Sequence, residues 1–153
     1  MKQIIMIVLA LSSGCATMAL NTEQDTAAAS LNVAYEALDA SYGAWAVDYE
    51  QAAKEALQES ETILEYEAAL AGHHDALSSL GLAKASLVTA QGALQTWIDG
   101  GTIRTFVDAA SCLFEAMARL RDVLHSIHIE IPGVLVRAIV LGSDVSLGGL
   151  CGS

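Results

Sequence analysis

The chain has 153 residues, is 54% hydrophobic but only 5% aromatic, and carries a single proline. That length suits one domain, and the Ala/Leu/Glu/Gln-rich middle favours helix over sheet. A formal net charge of −11, concentrated in the first half, repels phosphate and argues against nucleic-acid binding as a function class. From Glu23 to Asp75 there are twelve acids against one base, Lys54, whereas from Ala76 onward six acids face five bases.

In chain order, Lys2 precedes an uninterrupted apolar run at residues 4–11 (IIMIVLAL), followed by Ser12, Ser13, Gly14 and Cys15. A basic start, a short apolar core and a small-residue cleavage zone make a secretory signal peptide over residues 1–14. The run is far short of the ~20 residues that a membrane-spanning helix needs. Leu11-Ser12-Ser13-Gly14-Cys15 resembles the lipobox of bacterial lipoproteins, with Ser12 where that family usually has Leu. The resemblance covers only this leader. It implies cleavage before Cys15, acylation of that residue, and an exported protein held by membrane lipid. By resemblance to enteric lipoproteins, Ala16 after the cysteine implies the outer membrane, facing the periplasm. Two or more acyl chains make such attachment stable where one is marginal.

Residues 15–25 read as a lipidated tether, and residues 26–128 as a helical bundle. Leu31, Tyr35, Leu38, Tyr42, Trp45, Tyr49, Ala52 and Ala56 recur in steps of four and three, and Ile63, Tyr66 and Leu70 continue after a polar break at Glu59. That spacing predicts one long helix over about residues 25–71 with a coiled-coil seam. Gly72-His73-His74-Asp75 (GHHD) predicts a turn. A second helix follows to Trp97, ended by Asp99-Gly100-Gly101, and a third begins near Thr105-x-x-Asp108 and runs to about His128. Residues 129–153 form a C-terminal segment with a short apolar helix near residues 134–141 and a glycine-rich tail.

The fold expected is all-α: an antiparallel three-helix bundle, coiled-coil-like, with an overlong first helix. The overhang strands Tyr35, Tyr42, Trp45 and Tyr49 as an interaction stripe. A fold-back near Gly43, self-association, an envelope protein partner or the C-terminal segment would cover it.

No catalytic pattern stands out, and the expectation is a non-enzyme. The carboxylates of the first helix scatter around it as a solvated face. With a GHHD turn, His73, His74, His125 and His128 would collect at one end of the bundle, near Asp75 and Glu130. Imidazoles with carboxylates suit zinc or pH sensing, so a small binding module is the alternative function. Cys112 and Cys151 are a candidate disulfide in an exported chain. The leading expectation is a membrane-anchored structural or interaction module of the cell envelope. It resembles, in class only, the accessory lipoproteins of bacteria and their phages, including those of lysis and superinfection exclusion.

Overall fold

Alanine, leucine and glutamate repeat through the chain without an interrupting proline until Pro132, and the backbone follows suit. The computed structural model describes residues 22–145. Four helices make up nearly all of that stretch, and no strand occurs among the described residues. They are α1 (Thr22–Glu59), α2 (Ile63–Ile98), α3 (Ile103–Ser126) and α4 (Gly133–Val145). The leader, Cys15, Cys151 and the glycine-rich tail lie outside the described residues.

The first reversal corrects the expected boundaries. Helix α1 passes straight through Gly43 and stops at Glu59, while α2 runs unbroken through GHHD. The break is set by a capping box at Thr62. The Thr62 hydroxyl accepts from the Glu65 amide at 3.2 Å, and the Glu65 carboxylate accepts from the Glu61 and Thr62 amides at 2.9 and 3.0 Å. These bonds satisfy donors that a helix start otherwise leaves orphaned. Because the chain reverses here, Trp45 meets His73 across 28 residues of sequence.

The next two ends share one device. After α2, the Gly100 amide donates to the Trp97 carbonyl and the Gly101 amide to the Thr96 carbonyl, with Gly100 at φ +97°. After α3, the His128 amide donates to His125 and the Ile129 amide to Leu124, with His128 at φ 62°. Both are Schellman turns, the second closed by histidine where glycine is usual. The residues HIEI are therefore a helix stop and a linker, and the strand-like alternation there is incidental.

Small and large residues alternate along the α2 seam. Ala76, Ala83 and Ala90 are fully buried between Leu80, Leu87 and Leu94, and α2 packs against both α1 and α3. Alanine lets neighbouring backbones close in, and each buried leucine contributes about 1.5–3 kcal/mol. Helix α3 adds Leu113, Met117, Leu120 and Leu124, all fully buried. Helix α4 packs on α1 and α3 through Leu135 and Ala138, so part of the C-terminal segment belongs to the core. That helix, with α2, covers the start of α1, where Ala34 and Ala37 are fully buried.

The body ends where α3 ends. A Cβ on Gly72 would lie 2.5 Å from Cγ2 of Ile127, so the last turn of α3 sits at that level of α2. Beyond it, among the described residues, the α1–α2 pair continues alone: from residue 47 to residue 69 only Ala56 is buried. This two-helix arm is about 20 Å long at ~1.5 Å per residue.

Candidate functional site

The most elaborated cluster lies at the base of the arm. Trp45 is buried against α2 and its Nε1–H donates to the His73 carbonyl at 2.9 Å. Tyr49, one turn on, stacks on Trp45 with ring centroids 5.1 Å apart and planes within 18°. Tyr42 is also tilted against Trp45, with centroids 5.7 Å apart. His73, also buried, places Nε2 at 2.8 Å from Oδ2 of Asp48, and its ring meets Tyr49 at 5.9 Å. His73 Nδ1 is buried with no hydrogen-bond partner. The exposed His74 ring is tilted against that of Tyr49, with centroids 6.2 Å apart.

The expected interaction stripe is thus divided. Trp45 and Tyr49 are turned to α2, whereas Tyr35 and Tyr42 remain 38% and 53% exposed. Neither a bend at Gly43 nor a further chain is needed to cover Trp45; the reversal at Ser60 does it. Asp48 went unnoticed in the sequence because it lies 25 residues from His73, a separation that only the reversal closes.

The expected histidine constellation does not assemble. His125 and His128 do end α3 near the level of Gly72, but both are exposed, as are Asp75 and Glu130. His128 is occupied in a chain-stopping conformation, and His73 points inward to α1. Among the described residues, no three histidine, cysteine, aspartate or glutamate side chains come together as a metal site. The physical cause is the unbroken α2, which sets His73 and His74 a hundred degrees apart on one helix instead of opening them into a turn.

Cys112 is disulfide-bonded, and both other cysteines lie outside the described residues. It lines an open groove of about 320 Å³ with Ser79, Leu82 and Ser86 of α2 and Glu115, Ala116 and Arg119 of α3. That lining presents no nucleophile paired with a base. Ser111, next to Cys112, buries its hydroxyl without a partner, a local cost and not a reactive arrangement.

No periodicity in the sequence singles out the arm's end. Leu57, Ile63 and Leu64 are each more than 70% exposed around the reversal. Seven acids and one base stand between residues 48 and 67. The Glu65 carboxyl is held below the usual carboxylate range by the two amides it accepts from, and Glu50 by the neighbouring Lys54 ammonium.

No described helix is long and apolar enough to cross a membrane. Comparison with protein-family models, curated proteins and solved structures yields no match.

Proposed function

We propose that this chain is an exported lipoprotein, anchored through acyl chains on Cys15, that works in the cell envelope as a non-enzymatic contact module. In this reading an antiparallel coiled-coil-like bundle holds a surface against a partner protein or a second copy, on the periplasmic face of the outer membrane. The observation that carries it is the leader itself: eight apolar residues, three small ones and then Cys15. The pairings of Trp45 with His73 and of Gly72 with Ile127 support antiparallel helices. The exposed apolar residues of the arm support a role in contact.

The reading makes a demand on the disulfide. An acylated Cys15 has no thiol to share, so Cys112 must pair with Cys151. Mass spectrometry of protein from membranes is the test. It should find a mature chain beginning at Cys15 with added acyl mass, and a non-reducing peptide map linking Cys112 to Cys151. An intact leader, or a peptide joining Cys112 to Cys15, would remove the anchor. Cys15→Ser should release the protein from the membrane fraction.

A further inference from the structure

Along the body, the α1–α2 pair is closed over by α3 and α4; along the arm, the same pair continues and nothing among the described residues closes it. Among the side chains left open there are three large apolar ones: Leu57, Ile63 and Leu64 are exposed by 75%, 79% and 77%. Single exposed leucines are ordinary, but three large apolar side chains this open within eight residues of one chain reversal are not. The surroundings are carboxylates. Seven acids and one base between Asp48 and Glu67 give the arm a net charge of −6, more than half of the whole chain's −11.

That combination selects its occupant. Two identical arms would bring −6 against −6 within a Debye length of about 10 Å, which opposes a second copy. Anionic lipid is opposed for the same reason. A neutral apolar surface would cover the leucines but leave the carboxylates beside it partly stripped of water, without counter-charge. We infer that the arm is a docking surface for a basic amphipathic helix of another protein, one apolar stripe flanked by lysine or arginine. Such a helix closes the arm as α3, on α2, and α4, on α1, together close the body. Its apolar stripe meets Leu57, Ile63 and Leu64, and its cations meet Glu59, Glu61 and Glu67. Helix-in-groove recognition of this kind needs only the side-chain spacing of a single amphipathic segment.

The inference rests on the reading of the chain as a contact module but is tested separately from its anchor. The probe is a synthetic 18-residue helix of lysine and leucine, titrated against the full chain in non-ionic detergent, with detergent alone as the blank. A glutamate–leucine helix of the same pattern serves as the comparison. The lysine helix should bind, the glutamate helix should not, and raising salt from 0.1 to 0.5 M should weaken binding severalfold. Replacing all three tip residues (Leu57→Ser, Ile63→Ser, Leu64→Ser) leaves every charge in place and should weaken binding at least tenfold. Leu82→Ser, at an exposed site on the body, should not change it. If the triple variant loses helicity, Glu59→Gln with Glu61→Gln reads the charge contribution on a native tip, with severalfold weaker binding expected. Equal binding of the two peptides, or of wild type and triple variant, would overturn the inference. So would sedimentation showing a dimer that the triple variant abolishes. Acyl mass on Cys15 together with tip-independent binding would dispose of the arm and keep the anchor; tip-dependent binding without acyl mass would do the reverse.

Discussion

Several residues carry strain or space that substitution can measure. His128 sits at φ 62°, where a Cβ costs roughly 1–2 kcal/mol, and its side chain is exposed. His128→Gly should therefore raise unfolding stability by about 1 kcal/mol in a denaturant titration. The helical glycines divide by what surrounds them. Nothing lies within 4 Å of a Cβ placed on Gly43, so Gly43→Ala should stabilise α1 by about 0.5–1 kcal/mol. A Cβ on Gly142 would lie 2.0 Å from Cγ of Phe114, the ring atom nearest its backbone and least able to move. There the clash outweighs the helix preference, and Gly142→Ala should destabilise by about 1–3 kcal/mol, read as a lower midpoint in the same titration. Trp45→Phe keeps a buried ring but loses the bond to the His73 carbonyl, at a cost of about 0.5–1.5 kcal/mol.

At the scale of elements, the capping box decides where one long helix becomes two. Thr62→Ala should cost about 1 kcal/mol and fray the start of α2, seen as faster amide exchange over residues 63–67. The pH dependence follows from Glu65. Its carboxyl is depressed in the folded state, so the charged form is the one that the cap favours. The contribution is present above the ordinary glutamate value of 4.5 and is lost as pH falls through the lower, folded value. The amide resonances of Glu61 and Thr62 should titrate with that lower midpoint, and Glu65→Gln should abolish the titration. The four-and-three spacing made the helical stretches of α1, α2 and α3 legible, the short apolar run at residues 134–141 marked α4, and Asp99-Gly100-Gly101 marked the end of α2 correctly. The first boundary was misplaced for two reasons. Thr62-x-x-Glu65 is a true start signal but sits inside a continuing register, where the seam masks it, whereas Thr105-x-x-Asp108 lies inside α3, whose N-cap is Thr102 with no side-chain cap bond. Gly72 looked like turn punctuation, whereas α2 uses its missing Cβ to admit Ile127. Sequence alone does not separate a glycine that bends the chain from one that lets another side chain close. The pairing of His73 with Asp48 stayed hidden for the same reason, since it depends on where the reversal falls.

Taken whole, the molecule has a body with four helices and an arm with two, and buried side chains are concentrated in the first. Local opening requires the fewest buried contacts, so stability should grade along α1 and α2. Amides of residues 50–58 and 64–69 should exchange faster than those of residues 80–94 and 110–124. A glutamate-specific protease should nick first between residues 59 and 61. Uniform exchange along α2 would contradict this division. The arm also concentrates like charge, so salt should slow its exchange more than that of the body.

The unbroken run of α1 through Gly43 sets a length scale. Its 38 residues extend for about 57 Å at ~1.5 Å per residue. Only six residues stand between Cys15 and Thr22, where that rod begins. Under the proposed acylation, the leucine-bearing reversal would stand at the far end of a stiff spacer from the lipid. Whatever docks there would be met well out in the aqueous compartment, at a height that shortening α1 by whole heptads should lower in steps of about 10 Å.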